Sequence, residues 1–148
     1  MSMKIHLAAG AACLGLLVSG TPALADDHAY TEGGLVNVSY IRTEYGKFDE
    51  YMKYVDTTWK TEQEAAKKAG DITGYKVITL QPRTENDPDL ALVIYYKNWA
   101  ALDGALAKGD AVSRQVEGSL AASNQAATDR NKIRHILGGW TGQELLLK

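Results

Sequence analysis

The chain has 148 residues, with 16 Lys and Arg against 18 Asp and Glu and a net charge of −2. No basic block that could track a phosphate backbone stands out of this balance, so nucleic acid is not an expected partner. The single cysteine excludes an internal disulfide and a thiolate metal cluster, so stability must come from a core or from association with another copy.

Residues 1–25 read as a cleaved secretory signal. Lys4 gives the positive start, "LAAGAACLGLLVSG" the apolar centre, and "ALA" at 23–25 the small residues that a signal peptidase reads. The run is shorter and richer in Gly than a membrane span of about 20 apolar residues. A lipoprotein anchored at Cys13 is the competing reading, and "GAAC" lacks the large apolar residue that such a site carries three places before its Cys. Cleavage removes Lys4 and no acid, leaving a mature chain of net charge −3 with no cysteine. The expected location is periplasmic or secreted, with no membrane contact after cleavage. Residues 26–34, "DDHAYTEGG", are polar and carry paired glycines, so a flexible leader is expected before a single domain over 35–148.

From Leu35 the pattern alternates. Val36, Val38, Tyr40 and Arg42 share one face and Leu35, Asn37, Ser39 and Ile41 the other, as in a strand. Beyond Gly46 the period changes: Phe48, Met52, Val55, Trp59, Glu62, Ala66 and Ala69 follow three-four spacing, which predicts a helix of about six turns closed at Gly70. "TGYKVITLQP" and "LALVIYYKN" read as two strands joined by the polar turn "RTENDPD", hence an antiparallel hairpin. "WAALDGALAK" predicts a short helical stretch ended by Gly109. A second helix is then expected from Asp110 to Ile133, with Val112, Val116, Ser119, Ser123, Ala127 and Arg130 on one stripe. "RHILGGWTGQELLL" closes the chain as a strand, with a bulge or bend expected at Gly138-Gly139.

The order strand, helix, strand, strand, helix, strand predicts an α+β, ferredoxin-like βαββαβ domain: a four-stranded antiparallel sheet with helices on one face. The other face carries apolar side chains too, and a soluble protein rarely leaves such a face open, so a homodimer joined sheet to sheet is expected.

With these elements in place, the sequence resembles the dimeric α/β-barrel superfamily, which includes antibiotic-biosynthesis monooxygenase-like, EthD-like and NIPSNAP-like proteins. The resemblance rests on "LVNVSYIRTEYGKFDEYMKYVDTTWK", "GYKVITLQP", "LALVIYYKNWAALDGAL" and "GGWTGQELLL", and covers nearly all of the mature chain. It is most similar to small secreted, uncharacterised members. It implies a homodimer with a pocket in each protomer between sheet and helices, used by relatives for cofactor-free oxygenation, isomerisation or haem binding. It carries over no catalytic residue, because no reaction-specific motif of those families is present.

Two residues are candidate proton carriers. Glu62 lies within the helical stripe one turn after Trp59, where desolvation would raise its pKa and suit it to acid–base work; the ordinary alternative is a solvated Glu near the helix end. His135 is the only His in the expected domain and lacks a second ligand at metal spacing, so no metal is expected. Tyr40, Trp59, Tyr75, Tyr95, Tyr96 and Trp140, with Arg134 for an anion, are candidate ligand-binding residues; core or interface packing is the alternative for the aromatics. Three functions remain open: binding of a small aromatic or apolar molecule without a cofactor (haem being a minor variant), a cofactor-independent oxygenase or isomerase, and a structural or interaction protein.

Overall fold

The computed structural model describes residues 28–148. The signal read over 1–25 lies outside the described residues, as do Asp26 and Asp27. Strand β1 (Tyr30–Thr43) begins earlier than expected, because Tyr30–Glu32 pair with the end of the last strand, Tyr30 opposite Leu147. The part of the leader over Tyr30–Gly34 is therefore strand: backbone pairing outweighs its polar side chains and paired glycines.

The first helical region runs through α1 (Phe48–Tyr54), a π-helical turn (Val55–Trp59) and α2 (Lys60–Ala69), and ends at Gly70 with φ 82°, as the C-cap reading requires. The sequence stripe is shifted here. The buried positions are Tyr51, Val55, Trp59 and Gln63, while Phe48 is 38% exposed. Residues four apart drift about 40° per step around an α-helix. The wider π turn takes up that drift and holds the four on the sheet side.

Strands β2 (Gly74–Thr79) and β3 (Leu90–Tyr96) form the expected antiparallel hairpin, with Tyr75 opposite Ile94. A 3-10 turn (Trp99–Leu102), capped by the Asn98 side chain, leads into α3 (Ala105–Glu117) and α4 (Leu120–Arg130). This corrects the boundary placed at Gly109, which lies inside α3. The breaks fall instead at Gly104 (φ 68°) and Gly118 (φ 84°), after which Ser119 accepts a hydrogen bond from the Ala122 N–H and starts α4.

Strand β4 (Arg134–Leu147) completes a four-stranded sheet of order β2-β3-β1-β4, with every neighbour antiparallel. This is the ferredoxin-like order, and the α+β expectation holds. The register slips between Tyr40 and Ile41, which pair with Gly138 and Ile136, so Leu137 is the extra residue of a bulge. Gly138 takes φ 111° there, and a Cβ on Gly139 would drive into the Val38 carbonyl oxygen. The paired glycines are what let β4 pass β1 at that point.

The main core lies between helices and sheet: Ile41, Leu90 and Leu92 meet Tyr51, Val55 and Trp59. A second apolar cluster, Val38, Ala91 and Val93 flanked by Val36, Tyr40 and Tyr95, occupies the opposite sheet face.

Candidate functional site

A cavity of about 220 Å³ opens between α2, α3 and the end of β3. Its apolar wall is made by Ala66, Ile72, Ala101, Ala105 and Val112, and its polar groups include Glu62, Asp71, Tyr96 and Lys108. The space follows from side-chain size. Ala105, Gly109, Val112 and Ser113 recur at helical spacing on α3 and face Ala66 on α2, so two helix backbones approach without side chains long enough to fill the gap.

Glu62 stands where this cavity meets a buried polar cluster. Glu117 at the end of α3 and Arg130 at the end of α4 form an ion pair of 3.8 Å, with side chains 11% and 15% exposed. The Arg130 guanidinium lies 4.2 Å from the centre of the Tyr54 ring. Burial, the Glu117 charge and a hydrogen bond to Glu117 push the Glu62 carboxyl from 4.5 up to about 7, against the opposing pull of Arg130. Two carboxylates bond only if one holds a proton, and Glu117 Oε1 finds no donor among the fixed N–H and O–H groups around it. Burial also lifts the Tyr54 hydroxyl to about 12 and raises that of Tyr96, so both stay protonated donors near neutral pH.

Of the residues singled out from sequence, Glu62 and Tyr96 line this cavity. The desolvation expected for Glu62 is present. Trp59 and Tyr75 share the helix side but serve packing: their rings meet edge to face at 5.3 Å, and the Tyr75 hydroxyl donates to Glu64 at 2.5 Å. Arg134 pairs across from Thr43, lies against the Tyr51 hydroxyl and donates to Asn131 at 2.7 Å.

The remaining candidates lie on the other sheet face. Trp140 sits opposite Val38 and donates to the Tyr40 hydroxyl at 3.3 Å, and the Lys76 ammonium lies 5.5 Å from the Tyr95 ring centre. His135 is cross-strand partner to Arg42 and meets Glu44 at 2.5 Å, exposed to solvent. Glu62 and His135 are thus on opposite sides of the sheet, and a mechanism needing both at one substrate atom is excluded by this arrangement. Sequence reasoning missed Asp71, Lys108 and Glu117. Starting α3 at Gly104 would have put Ala105, Lys108, Gly109 and Val112 on one face and exposed the signal. Among the described residues, no group of three or more His, Cys, Asp or Glu could hold a metal ion.

These features define a ferredoxin-like α+β domain with a small cavity between helices and sheet and one perturbed carboxyl at its wall. No protein-family model matches the chain, and no curated protein matches it. Among solved structures it is similar to HapK from Hahella chejuensis, with 12% identity, a TM-score of 0.49, and coverage of 74% of this chain and 91% of that one. The fold assignment rests on the strand order itself.

Proposed function

We propose that this chain is a secreted or periplasmic protein that binds a small single-ring organic molecule in the cavity between α2, α3 and β3, and does so as a homodimer. The cavity carries the reading. At about 220 Å³ it exceeds the roughly 150 Å³ apolar cavity known to admit benzene, so one ring with a short substituent fits. Its wall is largely apolar, and Glu62, Tyr96 and Lys108 supply the few convergent polar groups that fix orientation.

The dimer reading is supported by the open sheet face. There Val36, Tyr40 and Tyr95 are only partly buried around the buried Val38 and Val93, and Ile78 and Trp140 stand 44% and 50% exposed beside them. Covering this apolar strip with a second copy makes a dimeric α/β barrel. The secretion reading is supported by the sequence of residues 1–25 alone.

Binding is tested by titrating single-ring compounds into the mature chain while following amide NMR signals of Tyr96, Ala105 and Val112. Shifts confined to the cavity wall, and their loss in Ala66→Leu, which fills the space, are expected. Uniformly unshifted spectra across acidic, neutral and basic rings would sink the proposal.

One observation favours a second reading, a cofactor-independent isomerase or oxygenase. A carboxyl near half-ionisation at neutral pH shares the cavity with a protonated phenol, which is the pairing needed to move a proton and steady an oxyanion. His135 takes no part in it.

A further inference from the structure

We propose that the cavity selects a ring bearing a positively charged nitrogen, an arylalkyl ammonium or similar organic cation, whose charge pairs with the Glu62 carboxylate. This rests on the cavity-binding reading above and specifies its ligand class.

The argument starts from the charges around the cavity. Lys108 is the cation in its wall, and it is already engaged: its ammonium donates to the Ala101 carbonyl at 3.0 Å and pairs with Asp71 at 3.4 Å. Asp71 is thereby neutralised as well. Behind the wall, the Glu117 carboxylate and the Arg130 guanidinium hold each other, and Tyr54 is neutral under Arg130. Arg130 also pulls on Glu62, but it is shared with Glu117, and burial together with the Glu117 charge outweighs it. Glu62 thus lies half-buried beside another carboxylate, with the Arg130 charge divided between the two.

Such a group has two ways to relieve the cost of its charge: keep its proton, or gain a cation. A neutral ring leaves the proton in place. An ammonium seated against Glu62 replaces the proton, which leaves for the solvent, and the rest of the wall (Ala66, Ile72, Ala105, Val112) covers the ring. An anionic ring is opposed by the Glu62 carboxylate, and the Lys108 ammonium that could attract it is already paired with Asp71.

The proposal makes affinity depend on the ionised fraction of Glu62. With its titration near 7, that fraction is about a tenth at pH 6 and about nine-tenths at pH 8, so affinity for a permanently charged ligand rises roughly tenfold between them. A neutral ring that accepts a hydrogen bond from the protonated carboxyl shows the opposite slope.

The test uses benzylammonium and benzyl alcohol, alike in shape and different in charge, titrated calorimetrically into the mature protein at pH 6 and pH 8. Benzylammonium should bind at least about tenfold more tightly than the alcohol at pH 8, weaken roughly tenfold at pH 6, and release a proton on binding at pH 6. Glu62→Gln should remove both the preference and the pH slope, and Ala66→Leu should abolish binding. Equal or tighter binding of the alcohol, with loss in Ala66→Leu, overturns the cation preference and leaves the cavity reading standing. Benzylammonium binding that survives Ala66→Leu places the cation outside the cavity and also overturns it. If neither compound binds, and neutral and acidic rings fail in the NMR titration too, the cavity reading falls with it.

Discussion

Replacing Glu62 by Gln should stabilise the protein at high pH and leave it unchanged at low pH. The carboxyl titrates at 4.5 in ordinary surroundings and near 7 in the fold, so between these values the folded state holds a proton that the unfolded chain has lost. Stability contributed by this group therefore falls as pH rises through that window, and above pH 7 the folded protein carries the full cost of a desolvated carboxylate. At about 1.4 kcal/mol per tenfold change, the ceiling on this cost is about 3.4 kcal/mol. Glu62 is only half-buried, and solvent screening reduces the figure to about 1–2 kcal/mol. Gln keeps the shape and hydrogen-bonding capacity without the charge. Urea unfolding of both proteins at pH 4 and pH 8 measures the effect: midpoints should coincide at pH 4, and the variant should lead at pH 8 by a margin equivalent to about 5 °C in Tm. Because only the difference between the two proteins is read, titrating groups remote from Glu62 and Glu117 cancel. A variant equally or less stable at pH 8, or a difference independent of pH, would refute the desolvation argument.

The remaining predictions concern the bulge, the core and the open face. Gly139→Ala should cost more than about 2 kcal/mol, because its Cβ meets the Val38 carbonyl, whereas Gly109→Ala, inside α3 with open space around it, should gain about 0.5–1 kcal/mol; urea midpoints check both. Leu90→Ala, at a position 1% exposed in the main core, should lose about 2–4 kcal/mol by the same measurement, and a smaller loss would mean that the core collapses around the gap. Trp140→Glu places a charge on the apolar strip and should give a monomer by sedimentation equilibrium; an unaltered dimer would show that the strip is not the contact.

The chemistry was only partly legible because it depends on convergence. Glu62 stood out by its place in the stripe, but the partners that perturb it, Glu117 and Arg130, come from two other helices far along the chain. The aromatic residues looked like one ligand-binding set in sequence. In space they divide: Tyr96 reaches the cavity, Trp59 and Tyr75 pack together, and Tyr40, Tyr95 and Trp140 lie across the sheet. The Gly109 boundary failed because a glycine inside a helix looks the same, in one dimension, as a glycine that ends one; Gly104 and Gly118 carry the positive φ that marks the real breaks.

By itself the sequence determined the element order, the hairpin, the Gly70 cap and the Gly138-Gly139 bulge, since each is set by neighbours within a few residues. Side-chain period and backbone φ are local properties, and they survive folding. Only the tertiary structure decided that Glu117 raises the Glu62 pKa, that Lys108 pairs with Asp71, and that His135 lies across the sheet from both. Those relations are set by distances of a few ångströms between residues tens of positions apart, and burial and charge act through such distances rather than through sequence spacing.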